Sequence, residues 1–86
     1  MYRILKTNVR KSLCDSFEVA TFESFEDARK RAEAEIETTL NEYHDGIYYH
    51  AETTIIDIVD DADEVIFSKN VKCEYSRRNG KTITID

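Results

Sequence analysis

Residues 24 to 46 read Ser-Phe-Glu-Asp-Ala-Arg-Lys-Arg-Ala-Glu-Ala-Glu-Ile-Glu-Thr-Thr-Leu-Asn-Glu-Tyr-His-Asp-Gly, and this stretch decides the fold. Ser24 is a helix start: its hydroxyl can accept from the backbone N–H of Asp27, and Glu26 and Asp27 suit the positive end of a helix dipole. Phe25, Ala28, Ala32, Ile36, Leu40 and Tyr43 then recur every three or four residues, which is one stripe of an amphipathic helix. The early alanines let that end lie close to a sheet. Gly46 suits a left-handed residue just past the last turn.

On either side of the helix the apolar period falls to two. Upstream, Tyr2 to Thr7 and Phe17 to Phe22 read as strands, with Asn8 to Ser16 as the hairpin loop between them. Downstream, Glu52 to Val59, Val65 to Tyr75 and Thr82 to Ile85 read as three more. Val65, Phe67, Val71, Cys73 and Tyr75 share one parity, interrupted by Lys69. Asn79-Gly80 signals a hairpin. A two-residue loop there would mix faces. A three-residue loop, Arg78-Asn79-Gly80 with Gly80 left-handed, keeps them apart by setting Tyr75 opposite Ile83 and Cys73 opposite Ile85. The expected fold class is α+β, ordered β-β-α-β-β-β, with one helix on an antiparallel sheet.

Eighty-six residues with no proline, two glycines, no repeat and no linker make a single domain over residues 1–86. Charged residues are 35% of the chain, but five tyrosines, four phenylalanines and runs such as Thr53-Thr54-Ile55-Ile56 argue for a folded core. The first residues, Met1-Tyr2-Arg3-Ile4-Leu5-Lys6, place charges where a secretory leader needs apolar residues. No apolar run approaches the ~20 residues needed to span a bilayer. Cys14 and Cys73 form no paired motif. The expected location is cytoplasmic.

His44, Asp45 and His50 lie close in sequence, but a zinc site needs three or four converging ligands, so no metal or cofactor is expected. In Asp57-Ile58-Val59-Asp60-Asp61-Ala62-Asp63-Glu64, a calcium loop counted from Asp57 has Ala62 at its sixth place and Ser68 at its twelfth. Counted from Asp61 it has Ile66 and Lys72. Neither frame supplies the required glycine and glutamate. Cys14 with a distant histidine lacks the third group that a nucleophilic site needs. The chain is not expected to be an enzyme, and no residue is assigned as catalytic.

The informative pattern is charge. From Ala32 to Ser68 there is no lysine or arginine, and that stretch carries −11 against +2 for residues 1–31 and +3 for residues 69–86, within a net charge of −6. Arg29, Lys30 and Arg31 can pair with Glu33 and Glu35 one turn on. Glu33 and Glu37, also one turn apart, repel by roughly 0.2–0.5 kcal/mol. The candidate partner-binding residues are Glu33, Glu37, Glu42, Tyr43, Asp45, Tyr48, Tyr49, Asp57, Asp60, Asp61, Asp63 and Glu64. Of these, Glu33, Glu37, Asp60, Asp61 and Asp63 are expected to be exposed. A field of one sign attracts a partner of the other, so the expected partner is a protein with a basic surface. Direct binding of nucleic acid is disfavoured.

Phe17-Glu18-Val19-Ala20-Thr21-Phe22, then Ser24-Phe25-Glu26-Asp27-Ala28 opening a helix, then a β-meander, resembles the layout of small phage and mobile-element proteins, anti-CRISPR proteins among them. That resemblance implies a stoichiometric inhibitor in the host cytoplasm, occupying a CRISPR nuclease or another nucleic-acid-binding protein. It assigns no residue. A second expectation, from the open sheet, is a homo-oligomeric accessory domain, such as a homodimer, pairing through strand edges near Thr82-Ile83-Thr84-Ile85.

Overall fold

The computed structural model describes residues 1–46 and 51–86. Its elements are β1 (Tyr2–Arg10), β2 (Leu13–Phe22), α1 (Phe25–Asp45), β3 (Glu52–Val59), β4 (Val65–Ser76) and β5 (Gly80–Ile85). The five strands form one sheet in the order β2-β1-β3-β4-β5, every pair antiparallel, and α1 packs on one face. The expected element order and class hold. β1 sits inside the sheet because it pairs with β2 on one side and with β3 on the other.

The helix starts where the side chain indicates. Ser24 is extended, and its hydroxyl accepts from the Asp27 N–H at 3.4 Å. Ala28 and Ala32 are fully buried and, with Ile4, Ile56 and Ile58, form the first core cluster, against which Tyr2, Val19, Phe22, Phe25 and Phe67 pack. The Tyr2 and Phe25 rings meet with centroids 5.7 Å apart. A second cluster joins Tyr43, Val71 and Cys73 with Leu40 and Ile83, and Ile36 touches both. The helix thus presents small residues, Ala28 and Ala32, at the first cluster and the large ring of Tyr43 at the second.

Three local expectations are corrected. Asn8 to Ser16 is no loop: the ladder continues through Thr7↔Ser16, Asn8↔Asp15, Val9↔Cys14 and Arg10↔Leu13, and only Lys11 and Ser12 turn, with Lys11 at φ 54°. Backbone pairing does not depend on apolar side chains. β3 pairs with the same part of β1 from the other side, as far as Arg10↔Glu52, and holds it extended.

The last hairpin does have a three-residue loop with Gly80 left-handed at φ 70°, but the loop is Arg77-Arg78-Asn79. Cys73 therefore faces Ile83 and Val71 faces Ile85. The shift is by a whole pair, so the faces are unchanged. Val65 and Tyr75, at opposite ends of β4, are exposed.

Gly46 is extended (φ −82°, ψ 164°), not left-handed. Its N–H closes the helix on the Glu42 carbonyl at 2.9 Å, and Lys81 of β5 donates to the carbonyls of His44 and Gly46 at 2.7 and 2.8 Å. A cation on the last carbonyls does the work a left-handed cap would otherwise do.

Candidate protein-binding surface

The strand directions put the helix C-terminus at the sheet end that carries both hairpin turns, Lys11-Ser12 and Arg77-Arg78-Asn79. The helix N-terminus lies with the Asp60–Glu64 turn at the other end. A helix of 21 residues is about 30 Å long, so acids contiguous in sequence are separated in space.

At the N-terminal end the turn acids are largely engaged within the chain. Asp60 was expected to be exposed but is half-buried. One of its carboxylate oxygens accepts from the backbone N–H groups of Ala62 and Glu64 at 2.9 and 3.0 Å, which holds the turn closed. Asp61 pairs with the Met1 amine at 2.7 Å and Asp63 with Arg3, while Glu64 is exposed. Asp57 lies opposite Leu5 and Ser68 with a parity that points away from the helix, on the other side of the sheet.

Along α1 the early acids are paired as the spacing suggests: Glu33 with Arg29 and Glu35 with Arg31, each at 3.2 Å, and Glu35 also with Lys6 at 3.7 Å. The Arg29 pair offsets the repulsion between Glu33 and Glu37. Glu37, Glu42 and Asp45 are exposed and make no ion pair among the described residues. Beside Glu37, Ile36 and Leu40 floor a shallow depression of about 340 Å³ rimmed by Glu33, Glu37, Asn41 and His44. Periodicity placed these two residues in the core stripe, and it carried no sign that part of their surface stays open.

Tyr43 cannot serve as a contact residue. It is only 4% exposed, and its hydroxyl lies 2.7 Å from that of Thr54, so the stripe that predicted the helix also turns this ring inward. Tyr48 and Tyr49 lie outside the described residues, as does His50.

A second concavity, about 290 Å³, opens between the β1–β2 hairpin and the helix. Asp15, Glu42 and the Arg10–Glu52 ion pair (3.6 Å) line it, and Leu13 stands at its rim. Leu13 and Phe17 on β2 are exposed large apolar residues, and the reading of residues 8–16 as a loop passed over the first of them.

Among the described residues no three His, Cys, Asp or Glu side chains converge as a metal site would require, and no helix is long and apolar enough to cross a membrane. Cys14 is an exposed free thiol and Cys73 a buried one. Burial pushes the Cys73 thiol above its ordinary value of 9.0, nearby Lys81 opposes this, and Glu52 adds to it. The hydrogen bond and charge of Asp86, 2.8 Å away, raise Lys72.

Comparison with known proteins places the chain in no group: no family model, no curated protein and no solved structure matches it.

Proposed function

We propose that this chain is a non-enzymatic binding protein that docks the C-terminal half of α1 on a basic surface of a partner protein and blocks that surface from nucleic acid. The observation that carries this reading is the state of Glu37, Glu42 and Asp45. They are exposed and without a cation of their own among the described residues; Glu37 rims the apolar floor of Ile36 and Leu40, and Glu42 lines the concavity beside the β1–β2 hairpin. An apolar patch with a charged rim is a usual interface composition, and carboxylates can occupy the lysines and arginines that phosphates would. The mode of action is that of an anti-CRISPR-type inhibitor, with a nuclease as the partner of choice. Two free thiols suit a reducing cytoplasm.

The test is matched capture from the source cell or its host, with wild-type chain and the triple variant Glu37→Gln, Glu42→Gln, Asp45→Asn as baits. The expected result is a partner retained by the wild type, released by salt, displaced by an oligonucleotide, and lost from the triple variant. Equal retention by both baits would overturn the assignment of the surface.

A further inference from the structure

The sheet ends in two open edges, β2 and β5, and they differ in charge. β2 with its turn, residues 11 to 22, carries Asp15 and Glu18 against the single Lys11. The β5 edge with its turn, residues 77 to 85, carries Arg77, Arg78 and Lys81 and no acid. Lys81 is already satisfied by helix carbonyls, which leaves the two arginines at the exposed tip.

Both edges also expose apolar side chains on the same face of the sheet. Leu13 is 60% and Phe17 49% exposed on β2, and Ile85 is 48% exposed on β5. Cross-strand partners tie them to one side: Leu13 lies opposite Arg10, Phe17 opposite Lys6 and Ile85 opposite Val71. Those parities include the buried, helix-facing Ile4 and Cys73.

β2 also lacks the usual protection of an edge. It has no proline and no basic residue, and its single irregularity falls at Val19, so the ladder from Leu13 to Glu18 is regular.

We infer that β2 is a docking edge for a second copy of this chain, which presents its β5 edge and the Arg77-Arg78 tip. Charge and apolar cover together favour this head-to-tail mode over the symmetric ones. Pairing β2 with itself so that Leu13 meets Phe17 would set Asp15 against Asp15, and antiparallel pairing of β5 with itself would leave Leu13 and Phe17 uncovered. β2 and β5 run in the same direction through the alternating sheet, so a sideways copy adds a parallel strand and keeps its helix on the same face. The acidic Asp15–Glu42 groove at the hairpin end then lies at the same end as the arginine tip. A contact between two different surfaces repeats, closing a ring or extending a filament. It leaves the solvent side of α1 open, so it stands independently of the partner reading.

Sedimentation velocity over a concentration series tests the inference, using the wild type, Phe17→Lys (which blocks β2) and Arg77→Glu with Arg78→Glu (which disables the β5 tip). The wild type should pass beyond a dimer as concentration rises and dissociate in high salt. Each variant alone should stay monomeric, and an equimolar mixture should stop at a one-to-one dimer through the one intact pair of edges. Circular dichroism checks folding, and Leu13→Lys replaces Phe17→Lys if the latter is unfolded. A wild type monomeric throughout overturns the proposal. So does a mixture that stays monomeric, and so does an arginine-tip variant that dimerises alone, since that pattern belongs to symmetric pairing of β2.

Discussion

The hydroxyls of Tyr43, a member of the second core cluster, and Thr54 lie 2.7 Å apart, joining the last turn of the helix to the central strand β3. Thr54, 3% exposed, donates its one proton to the Asn8 side-chain oxygen at 3.1 Å, so Tyr43 must be the donor to Thr54. The chain Tyr43–Thr54–Asn8 thus ties α1, β3 and β1 together with directed bonds that an apolar contact would not supply. Tyr43→Phe removes the first donor and keeps the ring. Urea unfolding should show a loss of about 1 kcal/mol. Tyr43→Ala, which also empties the cavity, should lose about 3–5 kcal/mol.

The two glycines should respond differently to the same substitution. Gly46 has backbone angles open to any residue, so Gly46→Ala should leave the melting temperature within about 2 °C, since an effect below ~0.5 kcal/mol moves it little. Gly80 is left-handed and nothing lies within 4 Å of where a Cβ would stand, so Gly80→Ala meets backbone strain alone. Its expected cost is about 1–2 kcal/mol.

Lys81 stands in for the missing left-handed cap. Lys81→Met keeps the aliphatic stem and removes the ammonium from the carbonyls of His44 and Gly46. The expected loss is about 1–2 kcal/mol. Hydrogen exchange should quicken in the last turn of α1 and not at its Ser24 end, which separates lost capping from general destabilisation.

Cys73 gives the chain an alkaline dependence with a definite sign. Its folded-state pKa is raised, so the native chain holds this proton more tightly than the unfolded one does. The stability it contributes is intact below about pH 9 and is lost as pH rises through the raised value. Urea midpoints measured from about pH 7 to 10 should fall more steeply for the wild type than for Cys73→Val. Under native conditions a thiol reagent should label Cys14 promptly and reach Cys73 only on unfolding.

Acids that looked equivalent in the sequence should behave differently. Asp60→Ala releases two backbone donors of the β3–β4 turn and should cost about 1–2 kcal/mol. Glu37→Gln should change stability by less than ~0.5 kcal/mol, while slowing association with a basic partner and flattening its salt dependence.

Read by itself, the sequence determined what depends on neighbours a few residues away. The Ser24 cap, the stripe from Phe25 to Tyr43, the limits of Glu52–Val59, the left-handed Gly80 and the Arg29–Glu33 and Arg31–Glu35 pairs all follow from helical or strand periodicity and side-chain reach. They stand in the structure as expected. Tertiary structure decided what depends on distant partners. Asn8 to Ser16 is strand because β3, more than forty residues away, completes a backbone ladder that is indifferent to side-chain polarity. Gly46 is extended because Lys81 arrives from the last strand. The stretch without lysine or arginine divides because the helix carries its two parts to opposite ends of the sheet, where Met1 and Arg3 engage the turn acids while, among the described residues, no lysine or arginine pairs with Glu37, Glu42 or Asp45. Charge along a chain is local information, but the counter-charge that neutralises it is placed only when the chain folds.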